Sequence, residues 1–362
     1  MRIDLERDLR RSVEYARLRR TPADGELITA YLGDHRRDIV HGIPELECRG
    51  RARHRKLFPA DIRPQAHDII RTWAFYTIVK AALHEHTIPW RHALISGFIM
   101  DPDRKKMSKS KGNVITPVEY LQRYTADGVR YWAASVGLGT DTAFDEGVMR
   151  NGRRLVIKLY NAGRFVLSLA AGPGAVTEPL DRAFLRKLRD LVSRATAVYE
   201  QFEFPLGEIE GFFWHDFTDT FIELVKARAR AGTEAGGSAV AALRRGLGIL
   251  LRLFAPILPY ITEEVWSWAY AREEGPESIH VASWPSEQEL SDLDPRAEAR
   301  CFDAAKGALS AINKAKTLAG VALGRQIRCQ TLQPAFATLP SGRACTYSSI
   351  GPNRVQNGLW LP

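Results

Sequence analysis

The apolar residues between positions 57 and 149 follow two different periods in turn. In residues 63–86, RPQAHDIIRTWAFYTIVKAALHEH, they recur every three to four positions, which predicts a long and heavily buried helix. In residues 93–100, ALISGFIM, they form a short run rich in β-formers, which predicts a strand buried on both faces. Together with the loop and the capped helix that follow it, this strand indicates an α/β arrangement.

A basic loop, DRKKMSKSKGN, follows the predicted strand directly, and Gly112 within it lets the backbone turn. A helix then starts, with Thr116 as its N-cap, Pro117 at its first position and Glu119 at the capping-box position. Sheets of α/β proteins bind ligands at the carboxyl ends of their strands, which is where this loop begins. The loop is therefore a candidate ligand site.

From Arg150 onward the strand pattern disappears and amphipathic helical segments replace it. The segments are separated by breaks that contain Gly or Pro, and they cover residues 153–171, 179–202, 216–231, 238–270 and 297–318. Within one of them Leu243, Leu247, Leu250, Leu251 and Phe254 repeat at three to four positions. This part of the chain is expected to form a helical bundle.

The net charge of +9 is concentrated at the two ends of the 362-residue chain. Residues 1–56 carry 14 basic and 10 acidic side chains, residues 325–362 carry four basic and no acidic ones, and the rest carry 33 and 32. A basic excess can attract nucleic acid, but here it does not lie in the predicted domains.

Cysteine usage and hydropathy exclude several classes of protein. The four Cys are widely scattered without a CxxC pair, and His35, His41, Cys48, His54 and His67 have no familiar ligand spacing, so we expect neither a disulfide framework nor a metal site. The most apolar run, residues 246–261, contains Arg252, Pro256 and Pro259, which favours a buried helix over a membrane span. The N-terminus lacks an apolar signal core, and we expect a cytoplasmic location without membrane contact.

The basic loop has the side chains that a polyphosphate requires. Lys106 and Lys109 can neutralise phosphate charge, while Ser108 and Ser110 can donate hydrogen bonds to phosphate oxygens. The alternative for any Lys-rich segment is an ordinary solvated surface loop. A P-loop ATPase is not indicated, because no G-x-x-x-x-G-K-[ST] occurs in the sequence.

The order KMSKS, residues 106–110, resembles the signature loop of class I aminoacyl-tRNA synthetases. Blocks such as FPADIRPQAHDIIRTWAFYTIV, DGVRYWAASVGLGTDTAFDEG and LLRLFAPILPYITEEVWSW look like successive parts of the bacterial valyl-tRNA synthetase family. The resemblance runs from about Leu57 to about Leu318. It implies part of a Rossmann-type nucleotide-binding domain followed by an all-α anticodon-binding bundle.

The resemblance also implies a reaction, valine-tRNA ligation. Valine and ATP give valyl-adenylate and pyrophosphate, and the valyl group passes to tRNA-Val. Lys106 and Lys109 would hold the β- and γ-phosphates and the charge of the transition state, so they are the expected catalytic residues. Met107, Ser108 and Ser110 would complete the ATP-binding loop, and Mg²⁺ would arrive with ATP.

The same resemblance assigns the rest of the ATP and valine contacts. Asp68 would contact the ribose, the backbone of Ser96 and Gly97 would lie against adenine, and Ile69 would face the valine side chain. Two alternatives stay open: Ile69 as a core residue of its helix, and Asp68 as a helix N-terminal charge favoured by the dipole.

Two basic stripes in the bundle are candidate contacts to tRNA phosphates. Arg153, Arg154, Lys158 and Arg164 form one, and Lys226, Arg228 and Arg230 form the other. Trp214 and Phe217 lie near them in sequence and offer rings on which unpaired anticodon bases stack. The alternative is that these are ordinary solvated helix faces.

These inferences divide the chain into five parts. Residues 1–56 are an irregular Arg-rich segment, 57–149 the second half of a class I catalytic domain with the KMSKS loop, 150–290 the helical anticodon-binding domain, 291–324 a linker and helix, and 325–362 a disordered tail. One hypothesis for the two ends is a shifted reading frame of a GC-rich gene, to be tested by translating the neighbouring frames.

The sequence lacks the H-x-G-H motif with which the resembled family binds ATP phosphates from the opposite side. It also lacks that family's editing domain. A truncated or partial ligase is therefore the main prediction. The alternative is a non-catalytic tRNA-binding protein, or a fragment that needs a second chain to supply the missing half-site.

Overall fold

The computed structural model describes residues 54–170, 174–273, 275–291, 299–322 and 324. The chain forms two compact units. The first runs to Lys106 and includes Leu138–Ala143, and the second comprises Met107–Gly137 and the chain from Phe144 onward. Of the segment 1–56 only the last three residues are described, and the tail 325–362 lies outside the described residues.

The first unit is built on a parallel β-helix-β arrangement. Strand β1, Ala60–Ala66, pairs in parallel with strand β2, Trp90–Ser96. The connection between them consists of a 3-10 turn, His67–Ile69, a π-helical turn, Ile70–Ala74, and helix α1, Phe75–Glu85. A parallel pair requires such a crossover, so the α/β expectation for this part of the chain is confirmed.

A second short parallel pair extends the same unit. Strand β3, Ile99–Met100, pairs with strand β4, Thr142–Ala143. Gly97 separates β2 from β3, and a Cβ at Gly97 would lie 2.3 Å from the carbonyl carbon and oxygen of Thr140. Only glycine fits there, because the two backbones approach too closely for any side chain.

Two predictions for this unit were wrong in part. The helix predicted over residues 63–86 begins only after β1, because residues 60–66 are extended and the helical period starts at His67. The predicted heavy burial is also largely missing: Ala74 and Ala81 are buried, but Trp73 is 47% exposed and Leu83 is 72% exposed. The strand predicted over 93–100 is interrupted at Gly97, and neither β2 nor β3 is buried on both faces. Apolar periodicity identifies a face suited to burial, but it does not supply the surface that covers it.

The second unit begins with the remainder of the basic loop and helix α2, Pro117–Ala134. The predicted helix start is confirmed, with Thr116 as N-cap and Pro117 in the first turn. The predicted capping box is wrong: Thr116 makes no side-chain capping bond, and Glu119 instead lies 3.4 Å from the guanidinium of Arg123 one turn later. An i,i+4 ion pair competes for the same carboxylate.

The helical bundle follows in the same unit. Its helices, in chain order, are α3 Glu146–Ser168, α4 Pro179–Glu200, α5 Leu206–Gly211, α6 Glu223–Ala229, α7 Glu234–Phe254, α8 Pro259–Trp268, α9 Tyr270–Glu273 and α10 Ala299–Leu318. A π-helical segment, Phe212–Ile222, joins α5 to α6. The predicted bundle is therefore confirmed.

The bundle has one continuous apolar core. The predicted repeat on α7 is fully buried, since Leu243, Leu247, Leu250, Leu251 and Phe254 all have 0% exposure. Phe184 stacks on Phe221 with ring centroids 4.0 Å apart, which links α4 to the π-helical segment. Within the part of the chain that the structure describes, no helix is long and apolar enough to cross a bilayer.

Candidate functional site

The carboxyl ends of β1 and β2 lie side by side in the first unit. The parallel register pairs Ala66 with Ser96, so Asp68, just beyond β1, and Gly97, just beyond β2, leave the sheet at the same edge. His67 connects the two strand ends, because its Nδ1 lies 3.1 Å from the carbonyl oxygen of Ser96. This is the edge at which parallel sheets bind ligands.

Lys106 reaches this edge from the basic loop. Its ammonium lies 3.7 Å from Oδ2 of Asp68 and 3.8 Å from the centroid of the Phe98 ring. Both partners of the ion pair are open to solvent, with 59% of the Lys106 side chain and 42% of the Asp68 side chain exposed. An exposed pair of this kind contributes less than about 1 kcal/mol, so a charged ligand can replace either partner.

A tight turn aims Lys106 at this site. Asp101 is buried, and its Oδ1 accepts a hydrogen bond of 2.8 Å from the backbone N–H of Lys105. Arg104 adopts a left-handed conformation with φ of 61°, and Met100 and Lys106 form an antiparallel bridge across the turn. The turn thus returns the chain to the end of β3, where Lys106 faces Phe98 and Asp68.

The rest of the loop, in the second unit, is organised by its own side chains. The Oγ atoms of Ser108 and Ser110 lie 2.8 Å apart, and the backbone N–H of Ser108 donates to Oδ1 of Asn113 over 2.9 Å. The backbone N–H of Ile115 contacts Sδ of Met107 at 3.4 Å. These contacts place the two predicted hydroxyl donors next to each other.

Lys109 begins a 3-10 turn, Lys109–Lys111, within this loop. The side chain of Lys109 lies outside the described part of the structure, so its predicted phosphate contact stays a prediction. Gly112, which follows the turn, has a φ of 69°, and no atom lies within 4 Å of a Cβ built there. The glycine is therefore required by the backbone conformation rather than by crowding, as the sequence predicts.

Ile69 and Asp68 lie on a very short helical turn. The alternative for Ile69 was a core position on its helix. Ile69 is 40% exposed, so it is not a core residue in the described part of the structure. Asp68 belongs to a 3-10 turn of three residues, which has little dipole to stabilise a carboxylate. The Asp68 carboxylate pairs with Lys106, which favours a role at the ligand edge over a role as a helix cap.

Helix α3 carries a mixed basic and apolar stripe along its exposed face. Arg153, Ile157, Tyr160 and Arg164 follow one another at three- to four-residue spacing, and all four are exposed. Ile157 is 51% exposed, although it is apolar. The sequence pattern pointed to the arginines but missed Ile157 and Tyr160, whose helical spacing was the available signal.

A groove of about 670 Å³ lies beside this stripe in the second unit. It is lined by Asn161, Arg164, Phe165, Leu167, Ser168, Arg244, Trp268, Ala269 and Glu273. Arg244 lies on its wall with Nη2 2.7 Å from Oε1 of Glu273, while the guanidinium of Arg230 lies 5.3 Å from the Phe165 ring centroid. Flat rings and guanidinium groups together suit a nucleobase.

The second predicted basic stripe, on α6, is less available for contacts with tRNA phosphates. Arg228 donates to both carboxylate oxygens of Asp181, which has 0% exposure, and to the carbonyl of Ala235. Its guanidinium thus neutralises a buried acid inside the bundle, so we leave Arg228 out of the tRNA surface proposed below. Lys226 lies on the surface, where Nζ is 2.6 Å from Oε2 of Glu223.

The two aromatic candidates for base stacking, Phe217 and Trp214, also differ in their exposure to solvent. Phe217 has 0% exposure and packs between other phenylalanines, so it has no face for a stacking base. Trp214 is partly exposed, and its ring lies 4.0 Å from the ammonium of Lys158, which also pairs with Asp219 over 2.7 Å. Helical position decided this difference, because Phe217 faces the core and Trp214 the rim.

Metal ligands are not clustered in the described residues. No group of three or more His, Cys, Asp or Glu side chains there is arranged to hold a metal ion. Cys301 is a buried free thiol on α10.

Two family models match the chain. The model for class I tRNA synthetases (I, L, M and V) matches residues 43–145, and the model for the anticodon-binding domain of tRNA ligase matches residues 181–331. The first match begins before Leu57 and the second ends after Leu318, so the likeness extends beyond the range inferred from the motifs.

Curated relatives give the same family. The chain is 48% identical over 285 residues to the valine–tRNA ligase of Thermobifida fusca (strain YX), covering 76% of this chain and 32% of the relative. It is 50% identical over 281 residues to that of Salinispora arenicola (strain CNS-205), covering 74% and 32%. The chain therefore spans about a third of the length of these relatives.

Solved structures agree at the level of the fold. A ternary complex of LeuRS, tRNA and LeuAMS from Agrobacterium radiobacter K84 matches with a TM-score of 0.50 and 23% identity, over 66% of this chain and 30% of that one. A Mycobacterium tuberculosis methionyl-tRNA synthetase in complex with methionyl-adenylate matches with a TM-score of 0.50 and 22% identity, over 62% and 47%.

Proposed function

Since the chain belongs to the class I aminoacyl-tRNA synthetase family, we propose that it provides one half of the ATP site and the tRNA-binding bundle of a valine–tRNA ligase. The observation that carries the proposal is the meeting of Lys106, from the KMSKS loop, with Asp68 at the carboxyl edge of a parallel sheet. One cation for phosphate and one carboxylate for ribose are thereby held at one edge.

In the proposed reaction the valine carboxylate attacks the α-phosphate of ATP, and pyrophosphate leaves. The protein lowers the barrier by positioning and by cations placed where charge develops. Lys106 supplies one such cation and Lys109 a second, while Ser108 and Ser110 donate hydrogen bonds to phosphate oxygens. Mg²⁺ enters with ATP and is held mainly by its phosphates.

The adenosine and valine contacts follow from the strand ends. The exposed carboxylate of Asp68 accepts hydrogen bonds from ribose hydroxyls, and the backbone at Ser96 and Gly97 offers a flat surface for adenine. The exposed Ile69 side chain lies next to Asp68 and contributes an apolar wall for the valine side chain. Such a wall separates amino acids by size.

The bundle binds tRNA-Val in this proposal. Arg153, Arg154 and Arg164 on α3 neutralise phosphates, and Tyr160 between them offers a face to an unpaired base. Lys158 and Lys226 add positive charge at the rim, although each already has a carboxylate partner. The groove beside Phe165 and Arg244 accommodates a further base. We place this activity in the cytoplasm, where translation takes place.

The test is valine-dependent exchange of pyrophosphate into ATP by the purified chain. Lys109→Ala is the test variant, and Lys105→Ala, in the same loop but outside KMSKS, is the matched control. Exchange that requires valine, is lost in Lys109→Ala and persists in Lys105→Ala supports the proposal. Valine-independent exchange, or equal loss in both variants, contradicts the assigned roles.

A second candidate function rests on a specific observation: the sequence lacks H-x-G-H. In this version the chain binds tRNA but needs a second polypeptide to complete the ATP site. The chain should then show no exchange alone and gain it when mixed with the part of the Thermobifida fusca relative that precedes the matched region. Exchange by the chain alone rules this version out.

A further inference from the structure

Phe98 lies in the short link between β2 and β3, and its backbone is held by hydrogen bonds on both sides. Its backbone N–H donates to Oδ1 of Asp141 over 2.7 Å, and its carbonyl accepts from the N–H of Thr142 over 2.9 Å. Hydrogen bonds on both sides of this residue fix its backbone, and therefore the point from which its ring extends. The sequence offers no signal for this role, since Phe98 is one apolar residue in a run of several.

The ring of Phe98 lies between two side chains of the candidate ATP site. The edge of the His67 ring meets it at a centroid distance of 4.1 Å and an interplanar angle of 68°. The ammonium of Lys106 lies 3.8 Å from its centroid and, at the same time, 3.7 Å from Oδ2 of Asp68. One ammonium therefore contacts both an aromatic ring and a carboxylate.

We propose that Phe98 and Asp68 form a resting seat for Lys106, which the lysine leaves when nucleotide binds. This inference rests on the proposed function, because it assigns Asp68 two partners in turn. In the nucleotide-free protein Asp68 pairs with Lys106. When ATP binds, its ribose hydroxyls donate hydrogen bonds to the Asp68 carboxylate. The Lys106 ammonium is then released from Asp68 and binds the phosphates. Phe98 acts as a positioning residue, since it orients Lys106 without touching the reacting atoms.

The strengths of the interactions suit such an exchange. A solvent-exposed cation–π contact favours the bound arrangement by about two- to fivefold. An exposed ion pair contributes up to about the same factor. The seat therefore holds Lys106 near the sheet edge instead of leaving it spread over many rotamers, yet a polyphosphate with several negative charges displaces it easily.

Competitive acylation of lysines on the full chain, read by mass spectrometry, tests the seat directly. Acylation requires the free amine to leave the ring and the carboxylate. Lys105 is the internal reference, because it is exposed to a similar degree, 70%, and also faces a carboxylate, Asp103 at 3.5 Å, but has no ring in its described contacts. The measured quantity is the ratio of labelling at Lys106 to labelling at Lys105.

Phe98→Leu keeps an apolar side chain but removes the ring, so the ratio should rise about two- to fivefold. Phe98→Trp restores a ring of stronger cation affinity and should return the ratio to the wild-type value or below. Asp68→Asn should raise the ratio as well, which keeps the seat testable if Phe98→Leu fails the circular-dichroism check of folding. An unchanged ratio in a folded Phe98→Leu, or a raised ratio in Phe98→Trp, overturns the proposal.

Adenosine tests the exchange step, because it carries ribose without phosphates. In wild-type protein that binds adenosine by equilibrium dialysis, saturating adenosine should raise the ratio as far as Asp68→Asn does. An unchanged ratio under these conditions overturns the exchange. Absence of adenosine binding contradicts both the exchange and the proposed ATP site, whereas the nucleotide-free ratio still decides whether the seat exists.

Discussion

The backbone N–H of Ile261 donates a hydrogen bond of 2.8 Å to Oδ2 of Asp127, which caps the first turn of α8 from the middle of α2. Oδ1 of the same carboxylate accepts from the N–H of Tyr260 over 3.2 Å. One turn later, Arg130 donates to the carbonyls of Pro256 and Ile257. Helix α2, which follows the KMSKS loop, is thus hydrogen-bonded to the connection between α7 and α8.

Removal of this cap should destabilise the second unit. Asp127→Ala leaves the buried N–H of Ile261 without its acceptor, and one unsatisfied buried donor costs about 1–3 kcal/mol. Urea unfolding should show a loss in this range. Glu119→Ala, on the same helix but exposed, should change the free energy of unfolding by less than about 0.5 kcal/mol. Equal losses in the two variants would contradict the capping role.

The same carboxyl should give an unusual pH dependence. Burial raises the pKa of Asp127, while the amides of Ile261 and Tyr260 and the charge of Arg130 oppose the rise. The folded protein therefore binds this proton more tightly than the unfolded chain does. The contribution of the carboxyl to stability is complete below the unfolded value near 3.8 and is lost as the pH rises through the folded pKa.

Urea unfolding of wild type and Asp127→Asn across this pH range measures that contribution. The free energy of unfolding of the wild type, relative to the asparagine variant, should fall with rising pH and then become constant. A relative stability that increases with pH would mean that the hydrogen bonds and Arg130 outweigh burial, and that the folded pKa is depressed.

Close packing of α2 against α3 should make one glycine irreplaceable. A Cβ at Gly152 would lie 2.7 Å from Cβ of Tyr131, an atom that no rotamer change can move. Gly152→Ala should therefore destabilise by about 1–3 kcal/mol despite the better helix propensity of alanine. Gly207, in α5, has no atom within 4 Å of a built Cβ, so Gly207→Ala should stabilise by up to about 1 kcal/mol. Thermal unfolding of both variants measures these effects. A Gly152→Ala variant as stable as the wild type would contradict the predicted clash with Tyr131.

Two basic residues on α6 should contribute very different amounts to the stability of the bundle. Among the described residues, Arg228→Ala leaves the fully buried carboxylate of Asp181 with only the hydroxyl of Ser238, and loss of one partner of a buried pair costs about 3–5 kcal/mol. Lys226→Ala removes an exposed pair and should cost less than about 1 kcal/mol. The measurement is chemical denaturation of both variants. Similar losses would show that the Asp181 charge is compensated in another way.

Binding of tRNA should depend on α3 through charge. Arg164→Gln should weaken binding and reduce the slope of log Kd against log salt by about 0.7–0.9, the value for one released counterion. Arg194→Gln, on α4 and paired with Glu208, is the control and should leave the slope unchanged. Filter binding at several salt concentrations measures both slopes, and equal changes in the two variants would place the tRNA elsewhere.

Much of the local architecture could be predicted from short-range chemistry. The start of α2 at Pro117, the left-handed Gly112 and the buried stripe on α7 depend on neighbouring residues or on helical spacing alone. The strand β1 was missed because the helical period of the following residues was extended too far towards the N-terminus. The capping box failed for a similar reason, since Arg123 competes for Glu119.

The residue order of the KMSKS loop and its position just after a strand were determined by the sequence itself, because both are local properties. Which groups meet was decided by the tertiary structure. Only the parallel register pairs Ala66 with Ser96 and so brings Asp68 and Gly97 to one edge, and only the turn at Asp101 returns Lys106 to Phe98. Likewise, helical phase made Arg228 an internal counterion and left Arg164 on the surface. Contacts between residues distant in sequence depend on how elements pack, and no local pattern encodes that packing.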